Sequence, residues 1–200
     1  MIYTGIGSRE TPSNVITLII DIAKAFALNG WTLRSGAAEG ADSAFEYGCD
    51  EVKGKKEIYL PKKLFQRHPS ELYFGGPNVD SDTAIDYAES VWSIRDICEW
   101  NRLKEFTKAL MSRNCFQILG ANLDKPTDLV ICWTKDGEAS GGTGQAIKLA
   151  ELITKSDKNN WSIPVINLQK EGHKKIIFDI LKDIKNINDI LMKNKKLIFY

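Results

Sequence analysis

The sequence predicts an α/β protein built on a doubly wound, mostly parallel β-sheet with helices on both faces. Short apolar runs alternate with longer segments of helical period along the chain. The apolar runs are continuous, which is typical of strands buried on both faces of a parallel sheet. No linker-like stretch interrupts the 200 residues, so we predict a single domain covering residues 1–200.

The N-terminal part supplies three predicted strands and two helices. "IYTG" is the first strand, and Pro12 opens a helix whose apolar residues recur at spacings of four, three and four. "WTLR" at residues 31–34 is the second strand, and the helix "AEGADSAFEYGCDEV" follows it. "EIYL", immediately before Pro61, is a third short strand. This strand–helix–strand order indicates parallel pairing.

The remainder of the chain begins with an irregular insertion at about residues 61–82. The stretch "RHPSELYFGGPNVDSDT" within this irregular region is too long and turn-rich for a simple connection. Helical texture then runs from about residue 82 to about residue 114. "DLVICW" at residues 128–133 is the clearest buried strand; a glycine-rich turn, a helix and the strand "IPVINL" follow it. A Lys-rich helical segment is predicted at about residues 172–196.

Three glycine-rich turns follow predicted strands of this Rossmann-like arrangement: "GIGSRE", "RSGAAEGAD" and "TKDGEASGGTGQA". In a parallel sheet the three turns share one edge, and ligands bind at that edge. A helix follows each turn, and its free N–H groups and dipole favour an anion, so we predict a phosphorylated ligand. The ligand-binding residues predicted in these turns are Gly5, Gly7, Ser8, Arg9, Ser35, Gly36, Ala37, Asp42, Gly141, Gly142, Thr143 and Gly144.

The sharpest of the three turns is "SGGTGQA". Gly141 and Gly142 allow the backbone to approach a phosphate closely, and Thr143 adds a hydroxyl at the start of a helix. A threonine N-cap with glycine spacers is the structural alternative. The chain lacks the Gly-Lys-Ser/Thr of a P-loop, and "GIGSRE" lacks the third glycine of a dinucleotide fingerprint.

The order of these motifs resembles the SLOG superfamily of Rossmann-like proteins, which includes DNA-processing protein A and the lonely-guy nucleotide phosphoribohydrolases. The similarity covers about residues 1–155 and rests on "GIGSRE", "RSGAAEGAD", "MSRN" and "DLVICWT…SGGTGQAIKLA". The whole chain looks most like small phage and bacterial members. The resemblance implies a mononucleotide, cyclic dinucleotide or ADP-ribose-type ligand, bound by a sensor or sequestering protein in phage–host conflict.

Residues of the lonely-guy enzymes carry over only in part. Those enzymes have a proline before the glycine turn and a glutamate in the helix after it, whereas this chain has Ser140 and the run Gln145, Ala146, Ile147. Arg113 stands roughly where they place a catalytic arginine. The resemblance therefore implies that Arg113 and Asn114 contact the ligand, but it does not imply the phosphoribohydrolase reaction. A solvated arginine at a helix end is the alternative for Arg113.

Two acids in the second turn, Glu39 and Asp42, are unexpected beside a phosphate. They could complement the dipole of the following helix, accept hydrogen bonds from ribose or base, coordinate Mg²⁺, or act as a general acid or base. If the protein is an enzyme, these two are its candidate catalytic residues. The motifs require no cofactor and predict no metal site.

The basic residues near these turns differ in expected role. Arg9 follows the first strand and is the best candidate for binding a phosphate through two hydrogen bonds, and Ser8 could add another. Arg34 could instead pair with Glu39. His68 and His173 are far apart in sequence, and we expect both in loops or at the surface. Trp92 is expected to pack, with stacking on a base as the alternative.

Composition restricts the remaining possibilities. A net charge of +1 gives no overall field for nucleic acid or membrane, although residues 155–200 carry ten Lys against five Asp and Glu. Four widely spaced cysteines indicate free buried thiols in a reducing cytoplasm. No secretory signal and no apolar run of about 20 residues is present, so we predict a cytoplasmic protein that does not bind membranes.

Three functions therefore remain open. The leading one is a nucleotide-binding sensor or sequestering protein, which we expect to form a dimer or higher homo-oligomer. The second is an enzyme that cleaves an N-glycosidic or phosphate bond of a nucleotide with Asp42 or Glu39. The third is single-stranded DNA binding in the manner of DNA-processing protein A, which the low net charge disfavours.

Overall fold

A computed structural model describes residues 1–93, 97–156 and 161–199 of the chain. Its centre is a single all-parallel sheet with strand order β3-β2-β1-β4-β5. This confirms the predicted α/β fold with a parallel sheet. The strands are β1 (Ile2–Gly7), β2 (Thr32–Ser35), β3 (Lys55–Ile58), β4 (Leu129–Trp133) and β5 (Val165–Asn167).

Helices cover both faces of the sheet. They are α1 (Ser13–Leu28), α2 (Ala41–Glu51), α3 (Ser81–Ser93), α4 (Ile97–Arg102), α5 (Glu105–Leu119), α6 (Gly141–Lys155), α7 (Glu171–Lys182), α8 (Ile187–Lys193) and α9 (Lys195–Ile198). Helices α1, α2 and α7–α9 contribute to the core on one face, and α3, α5 and α6 contribute to the core on the other. Within the described ranges, no helix is long and apolar enough to cross a membrane.

The central strand β1 is where the winding direction of the chain reverses. It pairs with β2 on one side, through Tyr3 and Leu33, and with β4 on the other, through Tyr3 and Leu129. The chain first winds outward through β2 and β3 and then returns to place β4 against the free side of β1. The loops that leave β1 and β4 therefore diverge, and this leaves a crevice at the carboxyl ends of the two strands.

Burial on both faces explains why the strands have continuous apolar runs. All five residues of β4 are buried. Tyr3 on β1 packs against Phe26 and Phe45 on one face, with ring centroids 4.9 and 6.1 Å away. On the opposite face, Tyr59 packs against Phe116 of α5.

The third strand begins two residues earlier than "EIYL" predicts. It starts at Lys55, because Lys55–Ile58 pairs with Thr32–Ser35 at the edge of the sheet. An edge strand is shielded less than a central one, so the two exposed lysines that begin it give no apolar run to detect. Beyond it, residues 61–80 contain a 3₁₀ turn, Phe65–Arg67, and a single bridge between Leu60 and Tyr73.

Candidate functional site

A cavity of about 520 Å³ lies in the crevice between the carboxyl ends of β1 and β4. Five segments form its walls: the turn after β1, the start of α2, one face of α5, the turn after β4, and the first turn of α6. Two of the three glycine-rich turns predicted to share a sheet edge thus border one cavity, and the third contributes Ala38 and Asp42.

The first turn of α6 forms the glycine wall of the cavity, with Gly141, Gly142 and Thr143 lining it. Gly141 has φ +61°, a left-handed conformation that favours glycine. Gly142 faces open space, since a Cβ there would come only within 4.0 Å of Asn114 and Met111. Asn114 Nδ2 donates a 3.0 Å hydrogen bond to the Gly142 carbonyl, which fixes the turn against α5. The first N–H groups of a helix have no partner within it, so this wall attracts an anion.

Arg9 brings a positive charge to the cavity from the turn after β1. Its side chain is exposed, and no ion pair involves it among the residues that the structure describes. The neighbouring Glu10 pairs instead with Lys135 at 3.4 Å, across the mouth between the β1 and β4 turns. Ser8 also lines the cavity, and its Oγ accepts a hydrogen bond from the Glu10 N–H. Arg9 is therefore a free cation at the rim.

Asp42 forms part of the cavity floor, although only 3% of its surface is exposed. Its Oδ1 accepts a 3.0 Å hydrogen bond from the Gly7 N–H, which ties α2 to the end of β1. Its Oδ2 lies 3.9 Å from Arg113 Nη1, beyond hydrogen-bond distance. Burial raises the pKa of Asp42 to about 6, against the opposing effects of Arg113 and the N–H groups of Gly7 and Ala38. The carboxyl group therefore titrates close to neutral pH.

Arg113 is a buried cation in the same floor. Its Nη1 donates to the carbonyls of Gly36, at 2.7 Å, and Tyr59, at 3.3 Å. Burial lowers the pKa of Arg113, Asp42 opposes this shift, and the nearby charge of Arg9 adds to it. The alternative of a solvated arginine at a helix end is wrong, because α5 continues to Leu119 and the residues from Met111 onward are buried.

Gly36 makes room for this guanidinium. A Cβ at residue 36 would overlap Arg113 Nη1 and lie 2.6 Å from Gln117 Nε2. Gly36 therefore does not line the cavity; its lack of a side chain lets Arg113 approach the backbone closely.

Gln117 is a cavity residue that the sequence reasoning missed. It is 1% exposed, and its Nε2 has no hydrogen-bond partner in the part of the chain that the structure describes. Gln117 is nevertheless close enough to favour the ionised form of Asp42 and so to lower its pKa. Its position four residues after Arg113 places both on one helix face, and that spacing could have identified it.

The predicted site residues divide into two groups. Those that line the cavity are Gly7, Ser8, Arg9, Asp42, Arg113, Asn114, Gly141, Gly142 and Thr143. Those that do not line it are Gly5, Ser35, Gly36, Ala37, Gly144 and Glu39. Most of the second group lie behind the cavity: Ser35 Oγ, for example, donates to the Gly5 carbonyl. Glu39 is different, because it is exposed to solvent outside the cavity.

Two expectations about charged side chains are wrong. Arg34 pairs with Glu57 at 2.7 Å rather than with Glu39, because the two residues are register partners on β2 and β3. His173 is buried rather than exposed: it lies on the apolar face of α7, accepts from the Asn167 N–H at 2.8 Å, and bonds the Leu197 carbonyl at 2.9 Å. His68 lies in the irregular loop as expected, and it contacts Glu46 at 2.8 Å.

The other aromatic and cysteine expectations concern residues outside the cavity. Trp92 is partly buried and packs against the α5–α6 side of the core; it does not line the main cavity but shares a smaller one with Gly141. Cys49, Cys115 and Cys132 are buried free thiols, as expected. The side chain of Cys98 lies outside the described residues.

The geometry therefore combines a glycine turn at a helix N-terminus, a free cation at the rim, and a buried Asp–Arg pair in the floor. Such a cavity can bind the anionic end of a small molecule against α6 and polar groups of the same molecule at the floor. Comparison of the chain with protein-family models, with curated proteins and with solved structures finds no match.

Proposed function

We propose that the chain binds a nucleotide or a nucleotide-derived small molecule in the cavity and acts as a sensor or a sequestering protein. The observation that carries this proposal is the convergence of two positive elements, the N-terminus of α6 and Arg9, on one cavity at the reversal point of the sheet. Ligands of α/β proteins bind at that position. The volume of about 520 Å³ is also within the usual range for small-molecule sites, roughly 300–1,000 Å³.

The phosphate is expected at the glycine wall rather than at the floor. Helix N–H groups and the free Arg9 side chain supply hydrogen bonds and positive charge at the α6 end. At the floor, Asp42 faces the cavity and would repel a phosphate, while Arg113 already donates to two carbonyls. The resemblance to SLOG proteins supports the same ligand class.

The test is a binding screen by calorimetry and native mass spectrometry, with ribonucleoside 5′-monophosphates, cyclic dinucleotides and ADP-ribose as probes. We expect at least one probe to bind the wild-type chain and to be recovered intact. Arg9→Ala should weaken that binding by about tenfold or more, since an arginine–phosphate hydrogen bond is charge-assisted. Arg102→Ala, which removes an exposed arginine from the end of α4, is the control and should bind as wild type.

Failure of every probe to bind would refute the proposed ligand class. Equal affinity of the wild type and Arg9→Ala would refute the placement of the phosphate. Tight binding to oligonucleotides that weakens steeply with added salt would instead favour a nucleic-acid function.

A second candidate function is an enzyme that cleaves the bound nucleotide, and a specific observation favours it. Asp42 borders the cavity with a pKa raised to about 6, which suits a general acid or base near neutral pH. Release of a base or of phosphate from a bound probe, lost in Asp42→Asn, would establish this function and exclude pure sequestration. Glu39, the other candidate acid, is exposed away from the cavity and makes a suitable control as Glu39→Gln.

A further inference from the structure

The floor of the cavity is an incompletely satisfied cluster of hydrogen-bonding groups. Asp42 Oδ2 is an acceptor at the cavity surface, and it lies 3.9 Å from Arg113 Nη1, beyond hydrogen-bond distance. Gln117 Nε2 and Arg113 Nε are donors with no acceptor within the described ranges. All three side chains are at least nine-tenths buried, and all three residues line the cavity.

A buried donor or acceptor without a partner is costly, so the chemistry of this cluster indicates what should complete it. A phosphate oxygen only accepts hydrogen bonds and would meet the Asp42 carboxylate, so it is unfavourable here. A carbonyl group cannot donate to Asp42. A hydroxyl group can do both, because it donates one hydrogen bond and accepts others through the same oxygen.

The separation of charge within the cavity also suits a ligand with a phosphate and a sugar. The helix α5 forms one wall and reaches both ends. Asn114 bonds to the glycine turn at one end, and Arg113 and Gln117 lie beside Asp42 at the other. A phosphate placed against Gly142 would therefore direct the rest of a small ligand along α5 towards the floor.

We propose that Asp42 and Gln117 form a sugar-hydroxyl subsite that selects ribonucleotides over nucleotides without 2′- and 3′-hydroxyls. In this arrangement a ribose hydroxyl donates to Asp42 Oδ2 and accepts from Gln117 Nε2. The inference rests on the proposed nucleotide-binding function and names the part of the ligand that the floor recognises.

The experiment compares the 5′-monophosphates of adenosine, guanosine, cytidine and uridine with their 2′,3′-dideoxy counterparts, measured by calorimetry on the full chain. We expect the wild type to prefer the ribonucleotide by about tenfold or more, as one hydrogen bond to a charged group permits. Asp42→Asn and Gln117→Leu should each reduce that preference while retaining most of the affinity for the dideoxy form. Retention of that affinity also shows that each variant is folded.

Glu39→Gln is the matched control, because it neutralises an exposed acid three residues away and should leave the preference unchanged. Equal affinity of the wild type for both sugar forms would overturn this inference and leave the proposed function standing. An unchanged preference in both Asp42→Asn and Gln117→Leu would also overturn it, since another part of the protein would then read the sugar. Absence of binding by any monophosphate would overturn the subsite together with the choice of a nucleoside monophosphate as ligand.

Discussion

The pairing of Gly36 with Arg113 shows how a single absent side chain determines the electrostatics of the cavity floor. The guanidinium occupies the space where a Cβ at residue 36 would lie, and it donates to the carbonyl of the same residue. Arg113 in turn supplies the positive charge that opposes the effect of burial on Asp42. Residue 36 therefore influences the ionisation of Asp42 without touching the cavity.

Gly36→Ala should displace Arg113 and leave Asp42 without its buried counter-charge. We expect the free energy of unfolding to fall by about 3 kcal/mol, in line with the loss of one partner from a buried ion pair. Urea denaturation measures this change. Gly172→Ala is the control: it lies in the first turn of α7 with only an ordinary contact to Leu197, so its effect should be within about 1 kcal/mol. Equal stability of the two variants would contradict the role of Gly36.

At the scale of elements, the α6 N-terminus and α5 act together to form the cavity wall. The hydrogen bond from Asn114 to the Gly142 carbonyl fixes the glycine turn on α5, and the face of Gly142 remains open towards the cavity. A side chain at residue 142 would therefore occupy the cavity rather than the protein core.

Gly142→Val should weaken ligand binding by more than tenfold without unfolding the protein, because its methyl groups would project towards Asn114 and Met111 across the cavity. Gly142→Ala should have an intermediate effect. Calorimetry with the probe that binds the wild type measures both, and thermal unfolding checks the fold. Wild-type affinity in Gly142→Val would show that the ligand does not approach this turn.

The sequence predicted the strands and turns better than it predicted which side chains contact one another. Continuous apolar runs predicted the bounds of β1, β2, β4 and β5 to within two residues. Strands buried on both faces are apolar along their whole length, so the signal lies within each strand's own sequence. The glycine turns were likewise recognisable from their place between strand and helix. The cross-strand partner of Arg34 was not, because it depends on packing between segments distant in the chain. The Lys-rich start of β3 gave too little apolar signal to fix its bounds.

At the scale of the whole molecule, His173 joins three C-terminal elements. It accepts a hydrogen bond from the Asn167 N–H at the end of β5, belongs to α7, and bonds the Leu197 carbonyl of α9. Asn167 also bonds Thr134 at the cavity rim, so this network extends from the chain terminus to the site. The burial of His173 was not evident from the sequence, because a histidine in the first turn of a helix is typical of the protein surface.

His173→Ala should reduce the free energy of unfolding by about 2 kcal/mol, because it leaves the buried Asn167 N–H without a partner and removes the hydrogen bond to the Leu197 carbonyl. Burial lowers the pKa of His173, so the folded chain resists the proton that the unfolded chain accepts. The contribution of His173 to stability is therefore complete above its ordinary pKa of about 6.5 and decreases as the pH falls below it. Urea denaturation between pH 5 and 8 measures this, with Lys175→Ala, an exposed residue on the same helix, as control. A His173→Ala variant that loses stability with acid as steeply as the wild type would contradict it.

The position of β1 between β2 and β4 has a consequence for the order in which the molecule can assemble. Tyr3 pairs with Leu33 nearby in the chain, but its other partner, Leu129, is synthesised 126 residues later. A chain growing from its N-terminus therefore carries β1 with one edge unpaired until β4 has been made. The cavity lies between the ends of β1 and β4, so its walls meet only after β4 and the start of α6 have been synthesised. We expect partially synthesised or truncated chains to expose an apolar strand edge, a kind of surface that promotes aggregation. A ligand that needs the complete cavity could not stabilise such chains.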